Sequence, residues 1–154
     1  VDEVKMLELY KKFTQHFDGY IRRDLESFKH LSQEINSQGG KIIGYSNDSY
    51  LEAYACILFE NGKVIIDELV YLNATALLKL LNSITSVNKP IELRVSPKEN
   101  LKKVLPLASV TTEVYTYVKL NDAKLFNELY KVNVSSATEA FMLAQKPLWI
   151  RENQ

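Results

Sequence analysis

The chain is poor in the residues that build phosphate cradles and covalent staples. It has five glycines among 154 residues, with one cysteine, four prolines and one tryptophan. A single cysteine excludes an internal disulfide, and Cys56 lies inside an apolar run, where a small core residue of a cytoplasmic, reducing compartment would sit. Charge of one sign is also lacking. Lysine plus arginine equals aspartate plus glutamate, 19 against 19, so no net field draws the chain to nucleic acid or to an acidic membrane surface. No apolar run approaches the roughly 20 residues of a membrane-spanning helix, and no signal peptide is visible. His16 and His30 fall on separate predicted helices without a cysteine or carboxylate at ligand spacing, which speaks against a metal site. No G-x-S-x-G nucleophile motif occurs. The first residue is Val1 and not methionine, and the expectation is a piece of a longer protein.

What is present is the composition of one globular domain, 46% hydrophobic and 25% charged, long enough to bury a core without staples. Helical spacing of Val4, Leu7, Tyr10, Phe13 and Phe17 predicts a helix over 2–17. A second helix is predicted over 24–37, with Leu25, Phe28, Leu31 and Ile35 inward and Gly39-Gly40 at its end. Three strand-like runs follow at 41–46, 50–60 and 63–72, rich in β-branched and aromatic residues. Asn61-Gly62 between the last two signals a two-residue hairpin, because both positions tolerate positive φ. Strict alternation puts Leu51, Ala53, Ala55, Ile57 and Phe59 on one face of the second strand. On the third it puts Glu68 with Val64, Ile66, Val70 and Leu72, and Asp67 with Ile65, Leu69 and Tyr71. That third strand is apolar on both faces and is placed centrally.

The pattern then alternates. Asn73 can cap a helix to about residue 86, with Leu77, Leu78, Leu81 and Ile84 inward. A strand is predicted over 91–96. Ser96-Pro97-Lys98-Glu99 reads as a capping box opening a short helix to about 105. A last strand is predicted over 114–120, then helices at about 122–131 and 137–145, the latter stopped by Pro147, and a tail over 148–154. The order α-α-β-β-β-α-β-α-β-α-α gives a mixed β-sheet flanked by helices, an α/β (α+β) domain. Its strand-to-helix junction, Leu72-Asn73-Ala74-Thr75-Ala76, has no glycine. A helix start offers free amides to an anion, but side chains here would crowd a pyrophosphate, and a capped helix start is the simpler reading.

Three segments carry a family resemblance. "DGYIRRDLESF" (18–28) resembles a G-x-(aliphatic)-x-R-x-x-x-x-(Trp/Phe) signature, filled by Gly19, Ile21, Arg23 and Phe28. "DELVYL" (67–72) leading into a leucine-rich helix, and "KPLWIREN" (146–153), complete the set. In this order they resemble the second, central GNAT-like domain of acetyltransferases related to the enhanced-intracellular-survival protein, over about residues 5–152. The resemblance implies a degenerate GNAT-like domain at 1–120 and a helical C-terminal extension at 121–154 packed on it. Only 34 residues follow the last predicted strand, too few for the family's sterol-carrier-like domain. It implies a bacterial-type, cytoplasmic N-acetyltransferase moving acetyl from acetyl-CoA to a small amine or peptide amine. In the family acetyl-CoA binds the N-terminal catalytic GNAT domain, which would be this chain's partner. This half would then bind no cofactor, and the R-x-x-G-x-G/A pyrophosphate pattern is absent from it. A homo-oligomer is compatible with the resemblance.

It also singles out site residues, each with a plainer alternative. A carboxylate on the central strand of a GNAT fold, Glu68 or Asp67, can serve as general base or can be a buried acid held by a partner. Arg23 can contact substrate, or form an ion pair within the chain or between domains. Trp149 can meet a substrate or another domain, or dock on the chain's own body. In the larger relatives the C-terminal carboxylate is the catalytic base, which would give that role to Gln154. The rival readings are a free-standing GNAT enzyme with a degenerate cofactor loop, and a non-enzymatic interaction or oligomerisation module.

Overall fold

The computed structural model describes residues 1–96, 99, 101–113, 118–146 and 148–149. Asp2 opens α1 (Glu3–Phe13), its carboxylate accepting from the amides of Val4 and Lys5. Met6, Leu9, Tyr10 and Phe13 form the buried stripe. The apolar face is therefore turned from the predicted one, with Val4 exposed, and the helix gives way to a 3-10 turn at Thr14–His16. Phe17 reaches the core from extended backbone beyond that turn. A short strand β1 (Gly19–Tyr20) and an extended link lead to α2 (Leu25–Ser37). There Asp24 and Ser27 cap each other's backbone amides, and Phe28, Leu31 and Ile35 point inward, while Leu25 stays at the surface.

Strands β2 (Lys41–Asn47), β3 (Tyr50–Glu60) and β4 (Lys63–Tyr71) form an antiparallel meander. The β3–β4 hairpin turns on Asn61 and Gly62, with φ of 48° and 77°, the left-handed pair that matches the twist of the strands. Asn73 caps α3 (Ala74–Thr85), which crosses back so that β5 (Ile91–Leu93) lies parallel to β4. The sheet order is β2-β3-β4-β5, with β4 interior as expected. α1 and α2 cover one face and α3 the other, giving two apolar layers around the sheet. In α3 the buried set is Ala76, Leu77, Leu80, Leu81 and Ile84, and Leu78 faces outward. Beyond β5 the described elements are a 3-10 turn (Leu101–Lys103), α4 (Ala123–Tyr130), α5 (Ala137–Met142) and a two-residue β6 (Leu148–Trp149) parallel to β1.

Two register shifts overturn the strict alternation. Between Cys56 and Ile57 the pairing with β4 slips by one, leaving Asp67 as an extra residue. Val64 and Ile66 therefore face α3 with Leu69, whereas Glu68 shares the α1/α2 face with Ile65 and Val70. A second shift, between Tyr45 and Ser46 of β2, makes Glu52 the extra residue and turns Leu51 to the α1/α2 side, away from Ala53, Ala55 and Ile57. β5 is also shorter than the predicted 91–96. Its last ladder bond runs from the Arg94 amide to the Ile66 carbonyl, just before the bulge, where extra twist carries β4 away from its neighbour. The Ser96 amide donates to Glu99, as the predicted capping box requires, and among the described residues a 3-10 turn follows. Most of the predicted strand at 114–120 lies outside the described residues.

Candidate functional site

The bulge on β4 and the link before α2 bring two distant charges together. The Tyr10 hydroxyl donates to the Ile21 carbonyl at 2.6 Å, fixing the link against α1. Arg23, two residues on, then reaches into the sheet. Its Nη1 donates to both Oε1 and Oε2 of Glu68, each at 2.9 Å. The Tyr54 hydroxyl, from the neighbouring strand, donates to Glu68 Oε1 at 2.7 Å. The Arg23 side chain is 10% exposed and that of Glu68 is fully enclosed. The guanidinium carbon lies 5.0 Å from the Tyr10 ring centre, 5.7 Å from Phe28 and 5.9 Å from Trp149, so aromatic faces take the place of water around the cation.

The electrostatics follow from that enclosure. Burial works against the charge on Arg23, but the Glu68 carboxylate, helped by Tyr54 and Tyr10, outweighs it and raises the guanidinium above its ordinary value. Burial, then the charge of Glu68, pushes the Tyr54 phenol well above 10. Tyr10 is pushed up to about 12, chiefly by burial. Both phenols are thus neutral donors at physiological pH. A buried pair of this kind is costly to desolvate, and its geometry must be good for the pair to persist. Because both Glu68 oxygens already accept hydrogen bonds, proton abstraction by Glu68 would require Arg23 and Tyr54 to give way.

The structure thus places Arg23, Glu68 and Trp149 in one cluster inside the chain. Trp149 is 7% exposed and packs against Tyr10, Phe13 and Phe17, with ring centres 5.6, 5.5 and 6.3 Å away. Gln154 lies outside the described residues. The reading of single residues missed Tyr54 as a partner. The Asn61-Gly62 hairpin does place Tyr54 near Glu68 across the strands, but the bulge that turns Glu68 to Tyr54's face leaves no mark in a hydrophobic pattern.

A second set of groups joins β4 to the segment that follows β5. Asp67 accepts from Arg94 Nη1 at 3.0 Å. The Tyr71 hydroxyl donates to Glu99 Oε1 at 3.0 Å, while Glu99 Oε2 takes the Ser96 amide, also at 3.0 Å. Burial raises the Glu99 carboxyl above its ordinary 4.5, against the lowering effect of its bonds to Ser96 and Tyr71. Burial, then the Glu99 charge, raises Tyr71. Since the Leu72 amide bonds to Glu52 in β3, alternation turns the backbone groups of Leu69 and Tyr71 toward the β5 side. Among the described residues no strand pairs with them there, and these residues leave a notch at the carboxyl end of β4.

The start of α3 borders this notch, at the place where a phosphorylated cofactor would meet free amides. Here the Asn73 side chain already accepts from the Ala76 amide at 2.9 Å, and its carbonyl accepts from Leu77. With side chains at all four positions from Asn73 to Ala76 and an amide spent on the cap, these residues do not fit a pyrophosphate. Among the described residues no cluster of His, Cys, Asp and Glu is arranged to hold a metal ion. No described helix is long and apolar enough to cross a membrane.

Comparison with solved structures places this architecture. The chain is similar to a possible acetyltransferase from Clostridium difficile 630, with 16% identity, a TM-score of 0.55, and coverage of 78% of this chain and 93% of that one. An acetyltransferase from Trypanosoma brucei matches at 13% identity and a TM-score of 0.49, over 78% of this chain and 96% of that one. A protein from Thermus thermophilus matches at 12% identity and a TM-score of 0.46, over 77% of this chain and 95% of that one. The chain matches no protein-family model and no curated protein by sequence. The first similarity gives the fold class: a GNAT-like mixed sheet with flanking helices, structurally similar to a possible acetyltransferase at low sequence identity.

Proposed function

We propose that this chain is a GNAT-like half of an N-acetyltransferase that does not itself carry acetyl-CoA. The observation that supports it is the Asn73-capped, glycine-free start of α3, where the cofactor's phosphates would be expected. In this reading residues 1–120 form a degenerate GNAT-like domain, and 121–154 an extension upon it. An N-terminal catalytic GNAT domain of the same cytoplasmic, bacterial-type protein holds the acetyl-CoA. The present domain supplies an interdomain face and one wall of the acceptor cleft. Titration calorimetry of the chain with acetyl-CoA, paired with a screen for amine acetylation, tests the proposal. No binding heat and no turnover are expected. Tight binding with turnover would refute it.

The notch itself favours a second reading. Main-chain groups at Leu69 and Tyr71, which have no strand partner among the described residues, offer an extended ligand a place on the sheet, as a free-standing enzyme with a degenerate phosphate site would need. Exposed Leu125, Leu129 and Tyr130 on α4 give the interaction-module reading its support. A chain that self-associates in sedimentation would support the interaction module, and a monomer would count against it.

A further inference from the structure

The cluster around Arg23 is closed by a piece of chain that arrives from far along the sequence. Trp149 supplies one of the three aromatic faces around the guanidinium, alongside Tyr10 and Phe28. Its attachment has two unequal parts. The ring is buried among Tyr10, Phe13 and Phe17, a large apolar contact. The backbone attachment is slight: β6 and β1 pair over Gly19–Leu148 and Tyr20–Trp149. The remaining described tethers are at the surface. The Lys146 amide donates to Asp18 Oδ2 at 2.7 Å, and Lys146 Nζ donates to the Gln15 carbonyl at 3.0 Å, both exposed. The helices that lead into this segment, α4 and α5, contain no buried residue themselves, and the link between them buries Val134.

Each described tether of this segment other than the indole itself is thus short or solvent-exposed, whereas Arg23, Glu68 and Tyr54 beneath it belong to the central strands and the α1–α2 layer. Stability in a folded chain is uneven, and segments with few buried contacts open first. We propose that Leu148–Trp149 is a releasable strap over the Arg23–Glu68 pair. Docked, its indole closes the aromatic enclosure around the guanidinium. Released, it opens a cleft walled by Tyr10, Phe13 and Phe28 and floored by the ion pair, while the sheet stays folded. The strap would decide whether anything outside the chain can reach Glu68, and this holds whether or not the chain binds acetyl-CoA.

Trp149 is the only tryptophan, so emission excited at the red edge, where the nine tyrosines do not absorb, reports the strap. Asp18→Ala removes an exposed tether without touching the enclosure. In this variant acrylamide quenching of Trp149 is expected to rise several-fold, with far-UV circular dichroism and its thermal midpoint nearly unchanged. Hydrogen exchange on the unaltered chain gives an independent check: the amides of Leu148 and Trp149 are expected to exchange at least about tenfold faster than the slowest amides of β3 and β4, as for an element that opens without global unfolding. Quenching that rises only with loss of the dichroism signal would overturn the proposal. So would tail amides that exchange at the rate of the central strands.

Discussion

Removing the cation from the Arg23–Glu68 pair tests the central feature of this fold most directly. In Arg23→Met the stem packing among the rings is largely kept, but the enclosed Glu68 carboxylate loses the donor that meets both its oxygens. Breaking a buried pair by removing one partner destabilises by about 3–5 kcal/mol, and loss of the cation over three aromatic faces adds about 0.5–2 kcal/mol. Tyr54 still donates to Glu68, which argues for the lower half of the combined range. For a chain of this length a loss of about 4 kcal/mol lowers the thermal midpoint by roughly 8–16 °C. Glu68→Gln keeps an acceptor for Tyr54 but leaves the guanidinium without a counter-charge, at about 2–4 kcal/mol. The double variant has no buried charge left, and is expected within about 1–2 kcal/mol of the original protein. Urea unfolding followed by circular dichroism on all four proteins closes the cycle, with a coupling energy of about 3 kcal/mol or more expected between the two positions. Single variants that each lose less than about 1 kcal/mol, or losses that simply add in the double variant, would refute the view that the pair is buried and mutually dependent.

Two further outcomes concern the start of α3 and the segment that follows β5. Asn73→Ala removes the cap of α3 and should cost about 1 kcal/mol in urea unfolding, against a few tenths for Asn73→Gly. Burial raises the Glu99 carboxyl, so the protonated form is favoured in the folded state. Its contribution is therefore fully present below 4.5 and is lost as pH rises through the higher folded value. Glu99→Gln, a permanent mimic of the protonated group, should gain stability relative to the original chain as pH rises from 4 to 7, with the two converging in acid. A difference that is flat across that range would show that Glu99 ionises as freely in the folded chain as in the unfolded one.

Local chemistry made several parts of this protein legible from the sequence. The Asn61-Gly62 turn, the Asn73 cap and the glycine-free junction depend on residues close along the chain, and the structure has each in place. The same holds for the meander and the parallel β5, because long β-branched runs and helix periodicity state their own period. The resemblance singled out Arg23, and Glu68 stood out as an acid within an apolar strand. Helix faces were less secure: Val4 and Leu78 are apolar and correctly spaced, yet a neighbouring stripe packs better against the sheet.

What tertiary structure decided was which side of the sheet the chemistry faces. One extra residue at Asp67 turns Glu68 onto the α1/α2 layer, beside Tyr54 and within reach of Arg23, and parts β4 from β5 at the notch. A bulge is a matter of pairing between two strands, and a one-residue slip inverts every later side chain without altering composition. Trp149 is similar. Its sequence shows a lone aromatic after a proline, and only the folded chain brings it 5.9 Å from a guanidinium 126 positions earlier. The residues fixed what each segment could form; the long-range contacts chose between an acid open to a substrate and one sealed beneath an arginine and a tryptophan.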